Sequence, residues 1–210
     1  GALRRNYGLQ GSDYGDLFVS GIIRHGISNS LTGEFAASIQ QSGPKEIGVG
    51  AAATFTGVGT GTATLGLSQT PQGIGGQVTV GFERRTSTHS FSARSQLATD
   101  EFRQAGIDSD QTVQRQNALF YGYRIQGIGS LGLSYLHQKV SNNEPVKIST
   151  VSFTPRTTSL GNFTLSFVQT QADKTSTSIS LFWSLVLDQR STLSAYQTQT
   201  SDSPSQSVLQ

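Results

Sequence analysis

The chain has 210 residues, 34% hydrophobic and 13% charged, with 24 glycines, no cysteine and no methionine. Its formal net charge of +2 comes from scattered Arg and Lys, with Arg4–Arg5 and Arg84–Arg85 the basic doublets, which argues against a nucleic-acid-binding stripe. The lack of cysteine excludes disulfides, thiol catalysis and cysteine-ligated zinc, and the absence of Met or a leader at Gly1 predicts a mature chain or a piece of a longer one.

In chain order, the first clear element is "LTGEFAASIQ". Leu31, Gly33, Phe35, Ala37 and Ile39 take every second position, with Thr32, Glu34, Ser38 and Gln40 among those between, the period of a two-faced strand. Ile47, Val49, Ala51, Ala53 and Phe55 repeat it, then Val78, Val80 and Phe82. The uncharged stretch between Glu46 and Glu83 is too rich in Gly and Thr for a membrane helix, and Gly57, Gly59 and Gly61 break it where a turn belongs. Phe91, Ala93 and Leu97 oppose Ser92, Arg94 and Gln96; Leu119, Tyr121, Tyr123 and Ile125 oppose Gly122 and Arg124. Phe163, Leu165 and Phe167 oppose Thr164 and Ser166, and Ile179, Leu181, Trp183, Leu185 and Leu187 form the most apolar strand. Such sustained alternation argues against disorder, and no segment keeps a helical stripe.

The pattern predicts an all-β chain of about a dozen antiparallel up-and-down strands of the transmembrane β-barrel type. Its connections carry turn residues and broadly alternate longer and shorter, as in a barrel whose rims face different compartments. A secreted β-sandwich shares the alternation of strands but does not sort its loops, and no fixed-period repeat supports a solenoid. A face built of Gly, Ala, Leu and Phe is too thin to interlock with a second sheet but suffices against lipid tails, so the Glu34 face should see water. The lumen-lining candidates are therefore Arg24, Glu34, Ser38, Glu83, Arg94, Gln96, Arg124 and Ser166. The lipid-facing candidates are Leu31, Phe35, Ile39, Phe91, Phe163, Leu165 and Trp183.

Motifs for chemistry are weak. Gly127, Gly129 and Gly132 fit GxGxxG, and Gly48, Gly50 and Ala53 its GxGxxA form, but neither opens a helix, so tight hairpins explain them. No phosphate-loop lysine or GxSxG elbow is found, and His25, His89 and His137 lie on separate segments without metal-ligand spacing. Asp100, Glu101, Asp108 and Asp110 cluster in the longest loop, where a solvated acidic loop is favoured over a calcium site. Asn162, Phe163 and Thr164 form a glycosylation sequon, which would carry no meaning if the protein were bacterial. The expectation is a non-enzyme with no cofactor, metal or nucleic-acid partner.

The residues Leu3, Arg4, Tyr7, Gly8, Leu9, then Asp13, Tyr14, Gly15, then Arg24, Gly26, Ser28, Asn29, Leu31 and Thr32 follow a recurrent order. Together with "VTVGFERRTSTHSFSARS" they resemble the barrel of fimbrial outer-membrane ushers, with His25 and Ile27 where that family has Tyr and Leu. The recognisable motifs lie within residues 1–130. The resemblance implies a translocation pore of the Gram-negative outer membrane that assembles and exports pilus subunits delivered by a periplasmic chaperone. It implies a barrel of roughly two dozen strands, so that residues 1–210 hold part of the barrel after the plug, without the plug or the N- and C-terminal periplasmic domains. The implied partners are subunits with their chaperone, the rest of the usher chain and outer-membrane lipid. A substrate-specific porin or passive solute channel is the alternative; it requires charges converging on an eyelet.

Overall fold

The computed structural model describes residues 2–4, 14–105, 112–156, 161–187, 191–201 and 203–209. Every regular element among them is a β-strand, and the strands form one sheet in which neighbours in sequence are neighbours in space. The first half holds β1 (Ala2–Arg4), β2 (Tyr14–Gly26), β3 (Leu31–Gln40), β4 (Lys45–Phe55), β5 (Gly59–Thr70), β6 (Gly73–Arg85) and β7 (His89–Ala98). The second holds β8 (Val113–Ile125), β9 (Gly129–Val140), β10 (Val146–Pro155), β11 (Asn162–Gln171), β12 (Thr175–Val186), β13 (Thr192–Thr200) and β14 (Ser203–Leu209). The expected full-length strands are β2–β13, and a shorter strand stands at each end. Among the described residues no helix is long and apolar enough to cross a membrane. The uncharged stretch turns at 56–58, with Gly57 at φ 75° and Gly59 at φ 148°, a conformation that glycine adopts without a Cβ penalty.

The loop-length expectation needs correction. Connections after odd-numbered strands were to be the longer set, and 99–112 and 141–145 are long. However, β6 begins at Gly73, leaving only Pro71 and Gln72 as the β5–β6 turn, and 156–161 and 187–191 exceed 172–174. The glycines read as loop in "TPQGIGG" extend the strand instead, because a strand tolerates glycine where another backbone approaches closely.

The chain divides into two compact units, 1–82 with 94–116 and 139–143, and 83–93 with 117–138 and 144–210. In the first, the register of β2–β5 sorts the side chains into rungs of one character. Ile23, Phe35, Val49 and Leu65 form one rung, and Gly21, Ala37, Ile47 and Leu67 the next on the same face. The other face carries Arg24, Glu34, Gly50 and Thr64, then Ile22, Ala36, Gly48 and Gly66, then Ser20, Ser38, Glu46 and Ser68. In the second unit Leu131, Phe153, Leu165 and Leu181 make an apolar rung, as do Leu133, Val151, Phe167 and Ile179. Their polar counterpart is Gly132, Ser152, Ser166 and Ser180. A one-residue slip would mix the two sets, so the pattern itself fixes the register.

Among the described residues the buried core reduces to Phe102, at 3% exposure. Large apolar side chains stand outward on the strands instead: Ile23 is 70% exposed, Leu65 58% and Phe35 46%. A soluble sandwich would cover these rows with a second sheet, and contiguous apolar rows of this extent mark contact with lipid or protein.

Candidate functional site

The polar face of the first unit is built from side chains three of which the sequence singles out. Arg24 and Glu34 face each other across β2–β3, and both Nε (2.8 Å) and Nη2 (2.5 Å) of the arginine donate to one Glu34 oxygen. Ser38 sits beyond them and donates to Glu46 across β3–β4 at 3.1 Å. The charges of Arg24 and Glu34 thus cancel locally, rather than projecting a field toward a selectivity eyelet.

Residues 99–105 of the long β7–β8 connection fold onto this face. Phe102 packs on Gly66, where an added Cβ would stand 3.5 Å from its ring, and on Gly75, where a Cβ would fall 2.1 Å from its backbone nitrogen. Gly66 thus makes room for the phenyl ring, and Gly75 on the adjacent strand for the Glu101–Phe102 backbone. Polar bonds hold the segment on either side: the Arg103 amide donates to Ser68 Oγ at 2.9 Å and the Ala105 amide to Glu46 at 3.4 Å. The Arg103 guanidinium donates to the carbonyls of Asp100 and Phe102 and to Thr112 Oγ1. Thr112 Oγ1 in turn donates to the Phe102 carbonyl at 2.8 Å. The Thr99 amide donates to the Gly76 carbonyl at 2.9 Å, and Thr99 Oγ1 accepts from the Gly76 amide at 3.1 Å.

This arrangement changes the reading of the acidic loop. The Asp100 carboxylate accepts from Gln114 and from Ser141 at 3.2 Å, so it ties the loop base to the strands. Asp108 and Asp110 lie outside the described residues, as do Arg5, Tyr7, Gly8, Leu9 and Asp13. The segment 99–105 is a pinned element on the polar face, not a free acidic loop.

The remaining candidates fall by strand. Arg94 is exposed and Gln96 half-buried on β7, and Glu83 is exposed near the end of β6. Arg124, exposed near the end of β8, donates its amide to the Thr88 carbonyl. Ser166 is flanked by Ser152 and Ser180 in the polar rung of the second unit. Leu31, Phe35 and Ile39 share one face of β3, opposite Ala53, Val49 and Lys45. Phe163 and Trp183 pair across β11–β12 with ring centroids 6.3 Å apart, Leu165 pairs with Leu181, and Phe91 is half-buried on β7.

Sequence reasoning missed a second aromatic group. His89 stacks on Tyr123 at 4.9 Å, and its Nδ1 is hydrogen-bonded to the Tyr121 hydroxyl at 2.8 Å. Like Phe163 and Trp183, these residues stand near strand ends reached by the connections after even-numbered strands. Aromatic rings with one polar handle suit a membrane–water boundary. The signal available was the adjacency of Tyr121 and Tyr123 to the turn at 126–128.

No protein-family model matches the sequence, and no curated protein matches it. Solved structures do. A chain in the cryo-EM structure of the E. coli P pilus tip assembly intermediate PapC–PapD–PapK–PapG matches with a TM-score of 0.71 at 18% identity, over 94% of this chain and 27% of that one. The structure of the P pilus usher (PapC) translocation pore matches with a TM-score of 0.66 at 16% identity, over 92% of this chain and 43% of that one. The fold is that of the usher pore. At these identities the likeness is one of architecture, and the chain spans less than half the length of either usher-fold structure. Up-and-down strands in chain order with apolar rungs on one face are the features shared with a membrane barrel of the usher type.

Proposed function

We propose that this chain is part of an outer-membrane usher pore that assembles and exports pilus subunits delivered by a periplasmic chaperone in a Gram-negative bacterium. The observation that carries the reading is the usher fold over nearly the whole chain, with outward rungs such as Ile23–Phe35–Val49–Leu65 left exposed. In this reading lipid covers the apolar rungs, and the face bearing Arg24, Glu34 and Ser38, with Arg94, Gln96, Glu83, Arg124 and Ser166, lines the lumen. Phe18 and Ile22 apart, the residues of β2–β5 on this face are polar, small or charge-paired, which suits a wall past which folded subunits slide without sticking. The pore performs no chemistry of its own; strand exchange between subunits supplies the drive. Further usher domains, including a plug and periplasmic domains, belong to the parent chain.

The test is export by the parent protein expressed with its chaperone and subunits in a strain lacking other ushers. Surface fibres that vanish when residues 1–210 are replaced by an unrelated barrel segment are expected. A parent that gives steady solute flux in liposomes but never exports subunits would instead make it a passive channel.

A further inference from the structure

The apolar face of the first unit holds a cavity of about 930 Å³, and it has a polarity along its length. At one end it is lined by Phe35, Val49 and Leu65; at the other by Arg115 and Lys139. Phe35 lies mid-strand in β3, whereas Arg115 is the third residue of β8 and Lys139 the penultimate residue of β9. The lining therefore climbs from the strand middles to the strand ends, where 99–112 and 141–145 connect them. Both cations are exposed, and neither has an acidic partner among the described residues. Gly76, without a side chain, leaves the floor of the groove open beside Leu67.

An apolar groove closed at the water boundary by an arginine fork and a lysine ammonium matches one class of molecule, an amphiphile with acyl chains and a phosphate head. We propose that this groove binds a phosphorylated glycolipid of the outer leaflet, lipid A, with acyl chains along Phe35, Val49 and Leu65 and a phosphate between Arg115 and Lys139. The proposal rests on the usher-pore reading and on the long 99–112 connection facing the cell exterior, which puts these strand ends in the outer leaflet. Lys45 is the built-in comparison. It ends an apolar rung beside Ile39 on the same face but does not line the groove, so general attraction to anionic lipid would engage it equally.

The experiment uses the full parent protein, purified in detergent and stripped of lipid, titrated with bis-phosphorylated lipid A and separately with phosphatidylglycerol, with bound lipid counted by native mass spectrometry. The wild type should take up lipid A in preference to phosphatidylglycerol, and Arg115→Gln/Lys139→Gln should weaken uptake at least about tenfold. Arg115→Lys/Lys139→Arg should retain most of it, and Lys45→Gln should change it by less than about twofold. Equal loss in Lys45→Gln, no loss in the double glutamine variant, or equal binding of phosphatidylglycerol overturns the site. Heat-dependent gel mobility on the same samples separates the two readings: a folded barrel without lipid A uptake defeats the site alone, whereas a protein that never inserts into membranes defeats the usher-pore reading as well.

Discussion

At the scale of single residues, the least replaceable side chain on the polar face is one that is missing. A Cβ at Gly75 would overlap the Phe102 backbone at 2.1 Å, and backbone cannot swing aside as a flexible side chain can. At Gly66 the same Cβ would meet the ring at 3.5 Å, an ordinary contact. Gly75→Ala should therefore lift the segment 99–105 off the sheet while Gly66→Ala leaves it in place, read by hydrogen exchange of the Arg103 and Ala105 amides. Phe102→Ala should lower protection of those amides by about 3 kcal/mol, the low end of the range for emptying an aromatic site. If Gly75→Ala keeps wild-type protection, the docked arrangement is wrong. None of this is legible in the sequence. "DEFRQAG" reads as an acidic loop because its partners, Gly66, Ser68 and Glu46, are distant in the chain and the notch consists of absent atoms. By contrast the Arg24–Glu34 pair adds little stability, since the arginine is 69% exposed and water screens it.

At the scale of the strand, the sequence is a faithful guide because its period is the period of the pleat. The face of Phe35 and that of Ser38 follow from parity alone, and the registers of β2–β5 and β9–β12 keep each parity together across neighbouring strands. Loop lengths were less legible. Gly73 and Gly75 signal a turn by composition but lie in β6, where Gly75 instead makes room for Phe102. Substituting Arg at Phe35 or Leu165 should cost ~2 to 4 kcal/mol if those positions lie near the membrane midplane. Arg at Ser38, beside Glu46, or at Ser166, in a serine rung, should be tolerated. Refolding of the parent barrel measures this, and equal effects at the two pairs would contradict the face assignment. With the longest connection, 99–112, taken as outside, the up-and-down order puts 141–145 and 172–174 on the same rim: cysteines at Asn143 and Lys174 should label from outside intact cells, and those at Ser30 and Thr86 should not. Labelling of all four would show that the rims are not separated by a membrane.

For the whole molecule, the decisive property is the pair of edges. The strand order runs from β1 to β14, so each end of the sheet presents a strand with a neighbour on one side. In lipid an unpaired row of N–H and C=O groups has no water to bind, at a cost of several kcal/mol for each group, so a spanning sheet must find partners for both edges. Pairing β1 with β14 would leave most of the longer strand unmatched, because Ala2–Arg4 is three residues long and Ser203–Leu209 is seven. No alternating pattern in "ALR" selects a register against "SPSQSVL". The matched usher-fold chains are more than twice as long as the stretch they share with this one, so the remainder of a barrel has room to supply the edge partners. The isolated 210-residue chain, refolded in detergent, should accordingly yield mixed assemblies without a single heat-resistant form, whereas the parent chain gives one. Planar-bilayer recordings check this: the isolated chain should show no uniform conductance level. A single reproducible conductance from the 210 residues alone would mean that the sheet closes on itself, and would move the passive-channel reading ahead of the usher pore.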